Sequence, residues 1–246
     1  MIITEKNLRD ALTKSIENSI WTKEGKPDKV RKFDETLDII INLRDIDIKN
    51  PNNRVNSEFL LPHQIQTPES HKLCFFSRED QLVEAKELGF EVCDPDRLND
   101  LNKQDAKAKK KFVNKYDSFI ARADMMRDVA RVLGRNLGQT GKMPKPMPKG
   151  YGIINPNDSV ERVSSNFMRR IVVQTKRAPI IQTKFGKKSL DFKKNYENLD
   201  ALLKFLEGQL PNGHGNIKSI ILKSTMGQPV KVKEGELKKT KRGGRR

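Results

Sequence analysis

The spacing of apolar residues changes twice along this 246-residue chain, and that change limits the folds it can adopt. Residues 32–43, KFDETLDIIINL, alternate apolar and polar side chains, as a half-buried strand does. From residue 72 onward, short apolar runs alternate with helical patterns, and after residue 156 the strand-like alternation returns. The chain therefore combines two architectures, one inserted into the other.

The middle segment, residues 67–156, is predicted to form a small Rossmann-like domain, which we call domain II. Its predicted elements are, in order, strand 73–76, helix 79–88, strand 90–93, helix 96–113, strand 118–120 and helix 124–133. A strand–helix repeat of this kind requires a parallel sheet with helices on its faces.

Each flanking segment is too short to build a core alone. The N-terminal segment contributes a helix over 5–20, with Thr4 as its N-cap, and the 32–43 strand. The C-terminal segment contributes a hairpin of 171–175 and 180–185, a helix over 191–207 that stops at Gly208, and a strand over 216–227. We predict that residues 1–66 and 157–230 together form domain I, an α/β sandwich with an antiparallel sheet. The predicted fold class is therefore α/β (α+β), with two domains.

Positive charge is concentrated in the last third of the chain. The whole chain carries a net charge of +17. Residues 1–66 are neutral, residues 67–156 carry +4 and residues 157–246 carry +13. The tail, 231–246, is basic and has no periodic pattern of apolar residues, so we expect it to be disordered when no partner is bound. This asymmetry favours a polyanionic partner, and nucleic acid is the commonest one inside cells.

The sequence gives no indication of a membrane segment. Its longest aliphatic run is residues 39–41, far below the roughly 20 residues that a membrane span needs. The first residues include Glu5 and Asp10 and lack the apolar run of a secretory signal. We expect an intracellular, soluble protein that makes no contact with membranes.

The potential metal ligands and nucleophiles are scattered. Cys74 and Cys93 form no C-x-x-C motif and are best explained as small buried strand residues in a reduced compartment. His63, His71 and His214 lie far apart and show no metal-ligand spacing. We therefore expect no metal, no cofactor and no catalytic residues.

A glycine-rich segment, LGRNLGQTGKMP at 133–144, partly resembles a phosphate-binding loop. It lacks the first glycine, where Asn136 stands, has Met143 in place of the magnesium-binding hydroxyl, and follows a helix. The candidate residues of this segment are Gly134, Gly138, Gly141, Lys142, Met143 and Pro144. They predict either a constrained basic loop or a glycine–proline connection between domains. An α/β enzyme acting on a phosphorylated substrate remains the alternative function.

Two short clusters remain, KFDET at 32–36 and STMG at 224–227. Their hydroxyls, an exposed methionine and a glycine could contact a sugar-phosphate surface, with Phe33 packing against a ribose or base. From spacing alone, a strand-end core residue and an ordinary turn explain them equally well.

Three segments together resemble one family. KFDETLDIIINLRDIDIKNPNNRVN, LGRNLGQTGKMPKPMP and NIKSIILKSTMGQPVKV are similar to the L-one family of large-subunit ribosomal proteins, in family order and spacing. The sequence of the first segment resembles the archaeal and eukaryotic branch of the family more than the bacterial branch. The resemblance covers residues 3–232 and implies a domain I made from both termini and an inserted Rossmann-like domain II.

The resemblance also implies an RNA-binding site on domain I. The residues that match the family's RNA contacts are Lys32, Phe33, Thr36, Ser219, Thr225, Met226 and Gly227, with Lys184 beside Gly186 as a weaker match. Gln139 and Thr140 replace the Pro-Arg of the bacterial pattern, which leaves the contacts of the domain II segment open. The basic tail extends beyond the family core and implies either extra RNA contacts or none.

The function implied is structural. Family members bind large-subunit ribosomal RNA in the cytoplasm and form a mobile stalk near the exit site for deacylated transfer RNA. In prokaryotes they often repress translation of their own messenger RNA. These partners are expectations for this chain.

Overall fold

The computed structural model describes residues 4–18, 21–23, 26–29, 32–50, 53–67, 70–146, 150–176 and 178–234. The chain forms two compact units. Unit 1 combines Met1–His63 with Ile171–Arg246, and unit 2 is Gln64–Arg170. Antiparallel and parallel sheets are both present, which confirms the predicted mixed α/β class.

The helices and strands follow one another through the two units. The first part of unit 1 contains α1 (Glu5–Glu17), β1 (Trp21–Lys23), β2 (Lys26–Lys29), β3 (Thr36–Leu43) and β4 (Asn56–Leu60). Unit 2 contains β5 (Leu73–Phe76), α2 (Glu79–Glu87), β6 (Glu91–Cys93), α3 (Pro95–Lys103), α4 (Ala106–Lys115), β7 (Ser118–Arg122), α5 (Met126–Thr140), β8 (Ile153–Ile154) and α6 (Val160–Arg169). The second part of unit 1 contains β9 (Arg170–Gln174), β10 (Ile180–Lys187), α7 (Phe192–Gln209), β11 (Ile217–Ser224) and β12 (Val230–Lys231).

Helix α1 begins where the sequence predicts and ends earlier. Thr4 Oγ1 accepts a hydrogen bond from the Asn7 N–H at 3.4 Å, which satisfies one of the free donors of the first turn. Asn18 is the C-cap, so the predicted extension to residue 20 is wrong at Asn18. Residues 19–20 lie outside the described residues.

The main sheet of unit 1 is antiparallel, in the order β10-β3-β11-β12, and strand β3 is one of its two central strands. One face of β3 is buried, through Leu37, Ile39, Ile41 and Leu43. Helix α7 packs against β10 and helix α1 against β11 on this buried side. We call the opposite side the open face, which contains Thr36, Asp38, Ile40 and Asn42 of β3, Gln182 and Lys184 of β10, and Ser219, Ile221 and Lys223 of β11.

Strand β3 begins at Thr36, although the alternation predicts a strand from residue 32. Asp34 and Glu35 already bond outside the ladder: the Ser189 N–H donates to the Asp34 carboxylate, and the Lys188 N–H donates to the Glu35 carbonyl. The alternation therefore does not extend back to Phe33, which the pattern places on the buried face. In the structure Phe33 is 52% exposed.

The predicted hairpin of 171–175 and 180–185 is wrong. Strand β9 pairs with β4, whereas β10 pairs with β3, so the two segments belong to different sheets. The Thr175 N–H donates to the Val55 carbonyl at 2.8 Å. A single antiparallel bridge, Thr175 with Ile181, is the only described pairing that links them.

Unit 2 is a parallel sheet in the order β6-β5-β7-β8 with helices on both faces. Alternate residues of β5 serve two cores. Cys74 and Phe76 pack with residues of α3, α4 and α5, while Leu73 and Phe75 pack with residues of α2 and α6. The predicted single helix over 96–113 is two helices, because the backbone of Gln104 is extended and breaks the helix there.

Helix α6 places the second boundary of the insertion later than residue 156. Its buried side chains, Val160, Val163, Phe167 and Met168, belong to the core that contains Leu73 and Phe75. Unit 2 therefore extends to Arg170, and residues 157–170, which we expected in domain I, are part of the inserted unit.

The predicted tail also begins inside the fold. Lys231 pairs with Ile221 in the main sheet. Val232 is buried, and its N–H donates to the Ile220 carbonyl at 2.9 Å. The rest of the tail, residues 235–246, lies outside the described residues.

Candidate RNA-binding surface

The two clusters KFDET and STMG meet at one end of the unit 1 sheet. The Thr36 N–H donates to Thr225 Oγ1 at 3.1 Å, and the Thr225 N–H donates to the Thr36 carbonyl at 3.0 Å. The Met226 N–H donates to a carboxylate oxygen of Glu35 at 3.1 Å. These bonds join residues 189 and 191 positions apart in the chain. We call residues 32–36, 187–189 and 224–227 the sheet-end cluster.

Glu35 is a residue that the sequence does not single out as functional. Its side chain is fully buried, which is unusual for a carboxylate. One carboxylate oxygen accepts from Met226, while Oε1 has no hydrogen-bond partner among the described residues. Glu35 therefore acts as a positioning residue that fixes the backbone of the STMG turn.

Two apolar side chains project from the sheet-end cluster. Phe33 is 52% exposed and Met226 is 54% exposed. Among the described residues of unit 1, they are the only large hydrophobic side chains exposed to this extent. One comes from each cluster, so the sheet-end cluster presents an exposed ring and an exposed thioether that lie far apart in the sequence. Lys32, beside Phe33, is also exposed.

The third segment of the sheet-end cluster holds the first in place. The Asp34 carboxylate accepts from the Ser189 N–H at 3.0 Å and from Ser189 Oγ at 2.7 Å, and Lys187 Nζ lies at 3.4 Å. Burial acts to raise the pKa of Asp34, but the Ser189 hydrogen bonds and the Lys187 charge outweigh it and lower that pKa. Asp34 is therefore ionised at neutral pH and stabilises the bend that contains Phe33.

Gly186 allows β10 to approach helix α7 closely beside this segment. A Cβ atom at Gly186 would lie 2.0 Å from Oδ1 of the fully buried Asn195. Asn195 Nδ2 donates to the carbonyls of Lys187 and Leu190, both at 2.9 Å. Glycine at 186 thus permits the contact that fixes the segment carrying Ser189.

The remaining candidates of unit 1 lie on the open face. Lys184 and Lys223 flank Asp38 across neighbouring strands. Ser219 faces Asn42, whose Nδ2 donates to Ser219 Oγ at 2.8 Å. Since Asn42 lies six positions along β3 from Thr36, Ser219 lies about 20 Å along the strand from the sheet-end cluster. The structure therefore places Ser219 on the same face as Thr36 but does not bring it into the cluster.

Asp38 is a second residue that the sequence analysis did not select. Burial is the largest influence on its carboxyl group and raises the pKa, although Lys223 and Lys184 act to lower it. An ionised Asp38 therefore costs stability in the free chain. The alternation of β3 already places Asp38 with Thr36, which is the signal that could have identified it.

We expect Asp38→Asn to stabilise the free chain at neutral pH. The pKa of Asp38 is raised in the folded state, so the folded chain resists its ionisation at any pH above that pKa. The difference in the free energy of unfolding between the Asp38→Asn variant and the unchanged chain should narrow as the pH falls through the raised pKa of Asp38. Urea unfolding between pH 3 and pH 8 measures this, with Asp100→Asn, an exposed aspartate, as the control. Equal effects of both substitutions would contradict the assignment.

The glycine-rich segment of unit 2 is not the loop that we expected from residue 134. Gly134 and Gly138 lie inside α5, which continues to Thr140 because Leu137 adds a buried position to its apolar face. Only Gly141 is in the left-handed region, with φ of 69°, and caps the helix.

The residues after Gly141 stabilise unit 2. Lys142 Nζ donates to the carbonyls of Val113 and Tyr116, at 3.2 Å and 2.5 Å, at the C-terminus of α4. Met143 packs against the core that contains Cys74, and Pro144 is buried. Lys142 is thus a helix-capping cation in this structure.

Lys142→Met should therefore destabilise unit 2. The substitution keeps the length of the side chain but removes two charge-assisted hydrogen bonds, and we expect a loss of about 1–3 kcal/mol in the free energy of unfolding. Urea unfolding measures it. Lys145→Met, a few residues away, serves as the control, and a similar small effect of both would show that the capping bonds do not matter.

The structure offers no metal centre among its described residues. Cys74 and Cys93 are both buried on strands, as predicted. Burial raises the pKa of Cys74 well above its usual value and that of Cys93 to about 12, so both thiols stay protonated at neutral pH. No helix in the described part of the chain is long and apolar enough to span a bilayer.

Residues 23–228, which include both clusters of the unit 1 surface, match the model of the ribosomal protein L1p/L10e family. The chain is 35% identical over 206 residues to the large ribosomal subunit protein uL1 of Thermoplasma volcanium, covering 84% of this chain and 90% of that protein. It is 34% identical over 225 residues to uL1 of Archaeoglobus fulgidus, covering 91% and 98%.

These similarities make the chain an archaeal-type ribosomal protein with a structural role, not an enzyme. It belongs to the ribosomal protein L1p/L10e family. The resemblance seen in the three sequence segments is thereby confirmed. The alternative of an α/β enzyme acting on a phosphorylated substrate is set aside.

Proposed function

We propose that this chain is a structural protein of the large ribosomal subunit in the cytoplasm and that unit 1 binds large-subunit ribosomal RNA. The observation that carries this proposal is the exposure of both Phe33 and Met226, which come from two segments that hydrogen bonds of Glu35 and Thr36 join at one end of the sheet. The names of the archaeal relatives support the assignment to the large subunit.

The chemistry of the surface suits folded RNA. The Phe33 ring offers a flat face to a ribose or an unstacked base, and Met226 supplies a polarisable apolar contact. Lys32, Lys184 and Lys223 supply cations near the phosphate backbone. Thr225 and Gly227 lie in the turn that presents Met226, and their N–H groups hold that turn in place by donating to the Thr36 and Ser224 carbonyls.

The wider role follows from the family resemblance. We propose that the chain forms a mobile stalk near the exit site, where it meets deacylated transfer RNA. Its own messenger RNA, if folded to present the same shape, would bind at the same unit 1 surface and repress translation. The messenger RNA would compete with ribosomal RNA for the sheet-end cluster. The contact with transfer RNA would depend on the chain being bound to ribosomal RNA through that cluster.

Alanine substitutions at Phe33 and Met226 test the proposal. We expect each to weaken binding to a stem-loop of the large-subunit RNA by about 1 kcal/mol or more, which is about fivefold or more in affinity. Val83→Ala is the matched control, because Val83 is 53% exposed but lies on α2 in unit 2. Filter binding measures all three. If both unit 1 variants fold and bind as tightly as the Val83 variant, the sheet-end cluster is not the RNA site.

A further inference from the structure

Helix α5 of unit 2 presents a row of arginines that the unit 1 surface does not explain. Arg127, Arg131 and Arg135 are spaced four residues apart and are all exposed. Residues at this spacing lie on one side of a helix, so the three guanidinium groups form a row about 12 Å long.

The charges in this row are largely unneutralised. Arg131 forms an ion pair with Asp128 at 3.0 Å, and Asp128 is also within 3.6 Å of Arg78. Arg127 and Arg135 have no ion-pair partner in the described part of the chain. Two positive charges on one helix face are thus available to an external anion.

Next to the arginines, two glycines leave the surface of α5 without side chains. Gly138 is exposed and Gly134 is half-buried, and their spacing in the helix places both on the side of the arginines. A Cβ atom at Gly138 would meet nothing within 4 Å, and one at Gly134 would meet only the Ala130 Cβ at 4.0 Å. Neither residue has a positive φ. Packing and backbone conformation therefore do not require glycine here, although glycine inside a helix lowers its stability.

We propose that this face of α5 is a second RNA-binding surface, which takes the phosphate backbone of a double-helical RNA segment without reading its sequence. Guanidinium groups pair with phosphates through two parallel hydrogen bonds. The missing side chains at Gly134 and Gly138 let a sugar-phosphate backbone approach the helix closely. A nucleic-acid duplex has a high charge density along its axis, and it can attract the two unpaired arginines and compete with Asp128 for Arg131. The proposal goes beyond the unit 1 site and does not depend on it.

A triple substitution in the full chain tests the role of the arginines. Arg127→Gln, Arg131→Gln and Arg135→Gln together should weaken binding to an arbitrary 20-base-pair RNA duplex at least about tenfold at 0.1 M salt. The salt dependence should become weaker. The slope of log affinity against log salt should decrease in magnitude by about 2 to 3, since each duplex phosphate contact contributes roughly 0.9.

The matched control removes the same charge from helix α4. Lys107, Lys110 and Lys111 are exposed, and their replacement by Gln lowers the net charge equally. We expect a loss below about threefold. Equal losses from both triple variants, or no loss from the arginine variant, would overturn the proposal. The proposal would also be overturned if polyglutamate displaced the bound duplex as effectively as RNA of equal charge does, because the surface would then suit an acidic protein.

A glycine substitution tests the close approach separately. Gly138→Gln replaces a poor helix former with a good one at a position where the Cβ meets no atom, so the melting temperature should rise. The long side chain should nevertheless weaken duplex binding at least about threefold. A raised melting temperature with unchanged duplex affinity would overturn the proposal.

The two RNA sites can fail independently. Met226→Ala should leave the affinity for the arbitrary duplex unchanged, and the arginine triple variant should retain discrimination between the ribosomal stem-loop and a scrambled one. If neither Met226→Ala nor Phe33→Ala weakens stem-loop binding, the unit 1 proposal is overturned and the α5 proposal is not affected. Loss of that discrimination in the arginine variant would show that α5 belongs to the same site and would overturn its separate role.

Discussion

Gly227→Ala should lower both the stability of unit 1 and its affinity for ribosomal RNA. A Cβ atom at this position would lie 2.1 Å from Ser224 Oγ and 2.9 Å from the Asn18 carbonyl oxygen. Ser224 is fully buried and the Asn18 atom belongs to the backbone, so the turn itself must shift. We expect a loss of about 1–3 kcal/mol in the free energy of unfolding. RNA affinity should fall at least about tenfold, because the shift displaces Met226.

A matched substitution separates steric strain from the loss of glycine. Gly208→Ala lies in helix α7 of the same unit, where a Cβ meets nothing within 4 Å. It should be neutral or stabilising by up to about 1 kcal/mol and should leave RNA binding unchanged. Adding Ser224→Ala to the Gly227 variant removes the nearest clash and should restore part of the stability. Urea unfolding and filter binding measure these effects, and identical behaviour of the two alanine variants would contradict the account of the turn.

Deletion of Gln64–Arg170, with the ends joined by a glycine linker, should leave a folded, RNA-binding unit 1. The deleted residues are one compact unit, and the sheet, α1 and α7 all lie outside it. Circular dichroism should show one cooperative unfolding transition, and stem-loop affinity should stay within about threefold of the full chain. An unfolded product would contradict the division of the chain.

A shorter deletion, residues 68–155, should behave very differently. It would keep α6 but remove Leu73 and Phe75, which pack against its buried side chains. Four large apolar residues of α6 would then be exposed, and patches of this kind promote aggregation. We expect the shorter deletion to aggregate while the longer one stays monomeric in size-exclusion chromatography. Equal solubility of the two products would show that α6 does not depend on unit 2.

The sequence predicted those parts of the fold that depend on local spacing. The alternation in β3 correctly identifies Leu37, Ile39 and Ile41 as buried, since a period of two residues fixes the face of each side chain. It misplaces Phe33, because the strand begins later, where Asp34 bonds to Ser189. That bond joins positions 155 residues apart and leaves no local pattern.

Other differences have the same origin in long-range contacts. Helix α6 joins unit 2 because Val160 and Phe167 find their partners on β5. Gly138 suggests a loop by its propensity, but the burial of Leu137 extends the helix past it. In both cases tertiary packing outweighs the local preference of the residue.

The residues of the candidate RNA surface stay a prediction from the family resemblance, and their geometry could not be predicted from the sequence. The family resemblance indicates Phe33, Thr225 and Met226, and the structure brings these residues to one end of a sheet. The buried carboxylate of Glu35 and the clamp at Asp34 could not be predicted, because each depends on a partner from the opposite end of the chain.

The most direct test of the central proposal is to ask which part of the molecule faces ribosomal RNA. Met226→Cys provides an exposed thiol, while Cys74 and Cys93 are buried and protonated, so an iron chelate can be attached selectively. Leu88→Cys, at the end of α2 in unit 2, is the control, because α2 and α5 pack on opposite faces of their sheet. In assembled large subunits, hydroxyl radicals generated at position 226 should cleave one stem-loop of the large-subunit RNA strongly, and those from position 88 should cleave it weakly. Cleavage of the same strength from both positions, or none from position 226 on bound protein, would contradict the proposal that the sheet-end cluster is the RNA-binding site.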